Sequence, residues 1–212
     1  MDAVPKNRLE AFADGIFAIA ATLLTLNLTV TEGHPLGQEL LTIWPQYAAY
    51  AISFLTIGII WINHHTVMHQ IGRVDRTFLT LSVLFLAVIA FIPFPTRLLA
   101  ANIQTDGARA AAFAYGITLT LTAVFFNVIW RYAASGRRLL RPDAEEKVVE
   151  GISRSYAFGP PIYLGATLVA LVSPTASAAL YGAFALFYTL ESSLFGRRPV
   201  DDPGNPTGYP RQ

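Results

Sequence analysis

The sequence contains no cysteine among its 212 residues, and charged side chains account for 14% of them. The absence of thiols excludes disulfide bonds, thiolate metal sites and cysteine nucleophiles. The formal net charge is +1 at pH 7, so the overall balance gives no indication of a nucleic acid or a strongly acidic partner. Hydrophobic residues make up 53% of the chain, which predicts an integral membrane protein rather than a soluble domain.

Six apolar runs approach the length of about 20 residues that a helix needs to cross a bilayer core. They cover 8–30, 42–63, 77–99, 109–132, 155–172 and 176–194. The fifth run contains Pro160 and Pro161 in its first third, where they delay or kink a helix. The pattern predicts an all-α integral membrane protein with a six-helix domain over 1–195 and a disordered tail over 196–212. Because the first run is long and contains Asp14, we expect it to be a retained helix rather than a cleaved signal.

Positive charge is distributed unevenly between the connections. Thirteen of the fifteen lysines and arginines lie at the N-terminus, in the second and fourth connections, or in the tail. The first connection, over 31–41, contains none. By the positive-inside rule, both termini are expected in the cytoplasm of a multi-pass protein of the cell membrane. The fourth connection also predicts a short amphipathic helix that begins near Pro142.

The first run has the spacing of a helix that faces other helices. Alternate steps of four and three residues place seven side chains on one stripe: Arg8, Phe12, Gly15, Ile19, Thr22, Leu26 and Thr29. In several symmetric copies, Ile19, Thr22 and Leu26 would form apolar and hydroxyl rings that could gate or coordinate an ion. The same spacing also fits a packed bundle with no passage. No internal duplication is visible, so a pore would require several copies of the chain.

Asp14 is a carboxylate near the start of this apolar run. A charge at that depth faces protein or water, so Asp14 is a candidate for ion binding or for a structural network with another helix. The second run ends in WINHH, which places Trp61, Asn63, His64 and His65 near the depth of Asp14. A contact between the carboxylate and an imidazole is therefore geometrically reasonable.

The histidines leave other functions open. His65 and His69 are four residues apart and could face one metal ion, but no third ligand is evident nearby, so we assign no metal site. A proton-coupled or proton-conducting transporter that uses Asp14, His64 and His65 is the alternative function. An intramembrane enzyme or metal protein built on His64, His65 and His69 is a further alternative, although no complete catalytic set is evident.

Three motifs resemble one known family. Arg8, Phe12, Asp14 and Gly15, followed by WINHH at 61–65 and PFPT at 93–96, resemble the prokaryotic relatives of the endosomal and lysosomal potassium channel, transmembrane protein 175. The resemblance covers the first three runs closely. It implies a homotetramer of six-helix subunits around a central pore that the first helix lines. The implied activity is passive, potassium-selective conduction through a lipid bilayer, with no enzymatic step, no cofactor and no further protein partner.

The resemblance also implies roles for individual residues. Ile19 falls at the apolar constriction of the family, with Thr22 and Leu26 as the following positions in the pore. The residues implied to support the pore helices form a cytoplasmic-side network: Arg8, Phe12, Asp14, Trp61, Asn63, His64 and His65. Ala13 stands where the family motif has serine, so one hydrogen bond of that network is expected to be missing or replaced.

Overall fold

A computed structural model describes residues 6–30 and 35–195, with side chains as far as Leu190. The described chain is helical throughout, as the composition predicts. Its helices are α1 (Lys6–Leu23), α2 (Leu36–Thr42), α3 (Trp44–Gln70), α4 (Arg76–Phe91), α5 (Pro93–Asn102), α6 (Ala108–Ala134), α7 (Glu146–Ala157), α8 (Gly159–Val169) and α9 (Pro174–Phe195). The tail over 196–212, predicted to be disordered, lies outside the described residues.

Four segments of the described chain are long and apolar enough to cross a membrane. They are Lys6–Asn27, Trp44–Gln70, Arg76–Asn102 and Ala108–Arg137. These segments overlap the first four predicted runs, although the first ends at Asn27 rather than at residue 30 and α3 continues seven residues beyond the predicted end at 63. The short helix α2 in the first connection was not predicted.

The fifth predicted helix requires a correction. We expected one helix over 155–172, but α7 ends at Ala157 and a separate helix, α8, covers Gly159–Val169. Pro160 and Pro161 cause this division, because proline lacks the N–H of a helix interior yet fits the first turn of a new helix. The amphipathic helix predicted from near Pro142 is α7, which begins at Glu146.

Prolines also interrupt the third predicted span. Pro93 and Pro95 cannot donate to the preceding turn, so the helix breaks at Ile92 and resumes as α5. The N–H of Ile92 donates to the carbonyl of Ile89, which would otherwise lose its donor at Pro93. We expected one run over 77–99, whereas the structure has a break at Ile92 followed by ten further helical residues.

The core surrounds α6, which packs against α4, α5, α8 and α9. Alongside large apolar side chains, it contains a network of buried hydroxyls. Ser53 lies 2.9 Å from the Thr96 hydroxyl and 3.1 Å from that of Tyr115. On the opposite side of α6, the Thr167 hydroxyl lies 3.0 Å from Thr120 and 2.9 Å from Tyr181. Within the described residues, every buried side-chain nitrogen and oxygen has a hydrogen-bond partner, as a low-dielectric interior requires.

Hydrogen bonds join the connection after α3 to the connection after α6. The N–H of Gly72 donates to Leu139 over 2.9 Å, and that of Arg141 donates to Gln70 over 2.9 Å. Helix α7 is held beneath this region by α6, where Trp130 Nε1 donates to the Ser153 hydroxyl over 2.8 Å. The ends of α3 and α6 are therefore fixed relative to each other.

Candidate functional site: the outward face of the first helix

Helix α1 and the turn that follows it have two different faces. Five apolar residues face the core of the chain: Leu9, Ala13, Phe17, Ala20 and Leu24. The stripe predicted to face other helices lies roughly 140° around the helix axis from this buried face. All seven of its members are exposed: Arg8, Phe12, Gly15, Ile19, Thr22, Leu26 and Thr29. We call this stripe the outward face of α1.

Within one chain, this stripe does not pack against other helices. The exposed fraction is 52% for Phe12, 57% for Ile19 and 70% for Leu26. Such a contiguous apolar stripe must be covered by lipid or by other copies of the chain, or must line a dry passage. Spacing alone identified the members of the stripe, and the packing of α1 against α3 and α4 turns them away from the core.

The hydroxyl of Thr22 is oriented by its own helix. Thr22 Oγ1 donates to the carbonyl of Ile19 over 2.9 Å, and the Thr25 hydroxyl donates in the same way to the carbonyl of Thr22. Because the Thr22 proton is directed at the backbone, the lone pairs of its oxygen remain available on the exposed side. The outward face therefore presents an oxygen ligand between two large apolar side chains, Ile19 and Leu26.

Asp14 joins α1 to α3 through an indole rather than an imidazole. Trp61 Nε1 donates to Asp14 Oδ1 over 2.8 Å. The predicted contact between Asp14 and a histidine does not occur as a hydrogen bond among the described residues. The His64 ring is buried instead, with centroid distances of 5.6 Å to Phe17 and 6.0 Å to Phe85. The structure thus brings Asp14 and Trp61 together and places His64 in the aromatic core behind them.

The other predicted network residues lie apart from this pair. His65 is exposed with its ring centroid 6.3 Å from that of Trp61, whereas Asn63 faces Tyr156 on the far side of α3, at 3.5 Å from its hydroxyl. Arg8 and Phe12 lie on the outward face of α1. In the described part of the chain, no three histidine or acidic side chains form a group that could hold a metal ion.

Comparison with known proteins identifies the family of this chain. The model of the endosomal/lysosomal potassium channel TMEM175 family matches residues 8–93. A protein of Chamaesiphon minutus, named as a potassium channel, is 38% identical over 191 residues, which cover 88% of this chain and 94% of that protein. The chain belongs to the TMEM175 family.

Two further comparisons agree. A potassium channel of Streptomyces collinus is 37% identical over 191 residues, covering 86% of this chain and 91% of its own. The crystal structure of a lysosomal potassium-selective TMEM175 homologue from Chamaesiphon minutus superimposes with a TM-score of 0.80 at 36% identity. That match covers 88% of this chain and 97% of the crystallised one. The similarity therefore extends beyond the three N-terminal motifs to the rest of the described fold.

Ala13 lies at the position where the resemblance to the family implies a serine. Its side chain is fully buried. Because no buried polar side-chain atom in the described residues lacks a partner, the alanine leaves no orphaned hydrogen-bonding group around it. The departure is accommodated by apolar packing of α1 against its neighbours.

Two polar residues that the sequence analysis did not single out, Asn27 and Gln46, hold the chain just beyond the C-terminal end of α1. Asn27 Nδ2 donates to the carbonyl of Pro93 over 3.1 Å, and the N–H of Thr29 donates to Gln46 Oε1 over 2.8 Å. The signal was an asparagine inside an otherwise apolar run, near a proline-rich break. Helix α1 is thus attached by polar contacts near both ends, with Ile19 and Thr22 between them.

Trp61→Phe is expected to lower the free energy of unfolding by about 1 to 2 kcal/mol. This variant removes the indole donor and leaves the charged acceptor Asp14 without it. Hydrogen bonds to charged groups contribute about 1.5 to 3 kcal/mol, and the value expected here is lower because this bond is exposed to solvent. Thermal unfolding of the purified protein in one detergent would measure the change. Trp44→Phe is the matched control, because Trp44 is also about half exposed and does not contact Asp14. Equal stability of the two variants would contradict a structural role for the Asp14 to Trp61 bond.

Proposed function

We propose that this chain forms a potassium-selective cation channel in a cell membrane, in which four copies surround a pathway lined by the outward face of α1. The observation that carries the proposal is that every residue of the stripe from Arg8 to Thr29 is exposed, in a chain of the TMEM175 family. Its relatives from Chamaesiphon minutus and Streptomyces collinus are named potassium channels. In a tetramer, the exposed stripes of the four copies would face one common symmetry axis.

The chemistry of the stripe supports passive conduction. Around a symmetry axis, Ile19 and Leu26 would form apolar rings that resist wetting, with the Thr22 hydroxyl oxygens between them. From Gly15 to Thr29 the outward face carries no charged side chain, so selectivity cannot depend on a ring of charges there. Partial replacement of the hydration shell by hydroxyl oxygens is the remaining physical basis for a preference among cations. Conduction of this kind needs no cofactor and no covalent step.

The proposed subunit has six membrane spans. Helices α8 and α9 would supply the fifth and sixth, after the four segments that satisfy length and apolarity. Both termini would then lie in the cytoplasm together with α7, as the positions of the basic residues favour. The six-helix domain would cover 1–195, with potassium as the permeant ion and the bilayer as the surrounding solvent.

The proton-transport alternative receives less support from the geometry. Asp14 is hydrogen-bonded to an indole, which cannot accept a proton in relay. His64 lies between the Phe17 and Phe85 rings rather than on the outward face. These residues therefore do not form a hydrogen-bonded path along the proposed pore.

Potassium and sodium flux in protein-loaded vesicles tests the proposal. The wild-type protein is expected to conduct potassium in preference to sodium, and Thr22→Val to reduce that preference severalfold, since valine keeps the shape of threonine and removes the oxygen. Thr80→Val is the matched control, because Thr80 is also exposed and donates to the carbonyl four residues earlier. Absence of potassium flux would overturn the function. An unchanged preference in Thr22→Val would overturn the role of its hydroxyl.

A further inference from the structure

A large cavity lies on the side of the chain away from the outward face of α1. Its volume is about 720 Å³, and its walls come from α3, α6, α7, α8 and α9. The size falls within the range of cavities that hold small organic ligands. No part of α1 lines it, so the proposed conduction pathway does not account for it.

The cavity opens on a surface that lipid reaches. Ile62 on α3 and Gly151 and Ser155 on α7 line it and remain exposed. Beside the opening, Phe158 and Ile162 have exposed fractions of 61% and 42%. Because α3 and α6 are long and apolar enough to span the membrane and α7 is proposed to lie on its cytoplasmic side, the opening would lie where the bilayer hydrocarbon meets the lipid headgroups.

The lining is polar at one end and apolar at the other. Asn63 and Thr66 lie in the last turns of α3, and Ser155 lies in the last turn of α7. Within the described residues, the Ser155 hydroxyl has no hydrogen-bond partner. Deeper in the bundle the walls are formed by side chains such as Ile59, Ile60 and Leu119. Two further threonines of the lining, Thr56 and Thr122, donate to carbonyls of their own helices.

This polarity is that of a binding site for an amphiphile. We propose that the cavity holds one acyl chain of a membrane phospholipid, with its glycerol ester region beside Asn63 and Ser155. If a cavity of this size were empty, the apolar side chains that line it would have no atoms to contact. A hydrocarbon chain in the cavity would make dispersion contacts with these side chains. The ester oxygens accept hydrogen bonds from the Ser155 hydroxyl and the Asn63 amide, which fixes the lipid's orientation.

Ala123→Phe tests the proposal by filling the cavity from α6. Ala123 lines the cavity, and a benzyl group there would occupy the volume assigned to the acyl chain. The matched control is Ala183→Phe, because Ala183 lies on the exposed surface of α9 and does not line the cavity. Both variants add the same apolar group to a helix, so they differ in position alone.

The proteins would be reconstituted into vesicles of phosphatidylethanolamine and phosphatidylglycerol, extracted in detergent, and examined by native mass spectrometry. We expect about one retained phospholipid per subunit in the wild type and in Ala183→Phe, and a loss of at least severalfold in Ala123→Phe. Thermal unfolding close to that of the wild type would show that Ala123→Phe folds. Equal retention in both variants would overturn the proposal, as would a wild type without phospholipid. A change of oligomeric mass without a change in bound lipid would assign the cavity to a second copy of the chain instead.

Discussion

Replacing Ile19 with alanine is expected to raise potassium flux about tenfold or more, which corresponds to a barrier lower by about 1.4 kcal/mol. At the narrowest apolar ring, an ion loses hydration and gains no ligand in return, so the width of the ring controls the barrier. In the proposed tetramer, alanine would widen the ring in every copy at once. The same change is expected to weaken the preference for potassium over sodium, because both ions then pass with more of their water.

The stability of Ile19→Ala distinguishes a pore residue from a core residue. Ile19 is 57% exposed in the chain, so the cavity term that accompanies a buried Ile→Ala change, about 2 to 5 kcal/mol, should be absent within the subunit. Ile162→Ala, at a side chain 42% exposed on α8, is the control for loss of exposed apolar surface. Flux in vesicles and thermal unfolding should be measured on both variants. Wild-type flux in Ile19→Ala would remove this residue from the conduction pathway.

Gly116→Ala is expected to lower the free energy of unfolding by about 2 kcal/mol, despite the gain in helix propensity. A methyl group at this position would lie 2.5 Å from the Tyr181 hydroxyl and 2.7 Å from the Thr167 hydroxyl. These two hydroxyls are 2.9 Å apart and buried, so they cannot separate without losing their bond. The steric and hydrogen-bond penalties together are about 3 kcal/mol, which exceeds the ~1 kcal/mol that alanine gains over glycine in a helix.

Gly165→Ala is the control that separates the steric effect of a methyl group from the higher helix propensity of alanine. Gly165 lies on α8, and a methyl group there would meet nothing within 4 Å. We expect this variant to match or exceed the wild type in thermal unfolding, since alanine favours the helix. If Gly116→Ala also unfolded like the wild type, the close packing of α6 against α8 and α9 would not depend on a glycine at this position.

The sequence predicted which residues of α1 share the outward face, but not which face of α1 is buried. Spacing identified the stripe of Ile19, Thr22 and Leu26, because helical periodicity fixes which residues share a face. It did not show that α1 has a second apolar stripe, through Ala13 and Phe17, that packs into the chain. Two apolar stripes on one helix look alike in a periodic pattern. Which of them is buried depends on the shapes of α3 and α4.

The partner of Asp14 could not be predicted for a related reason. Trp61 and His64 lie at similar depth on α3, but they are three residues apart, about 60° around the helix axis. The packing of His64 against Phe17 and Phe85 turns Trp61 toward Asp14. The contact of Asn27 near the other end of α1 could not be predicted either, because its acceptor is the carbonyl of Pro93, next to the helix break at Ile92.

By itself, the sequence determined that this is a helical membrane protein, because about half of its residues are hydrophobic and they occur in runs long enough to span a bilayer. It also determined the family, through motifs in the first three runs. The tertiary structure alone decided that the stripe of Ile19 faces outward, that α7 and α8 are separate helices, and that a lipid-sized cavity lies between α3 and α6. Hydrophobicity and period are local properties of a chain, whereas burial and cavity volume depend on side chains that are distant in sequence.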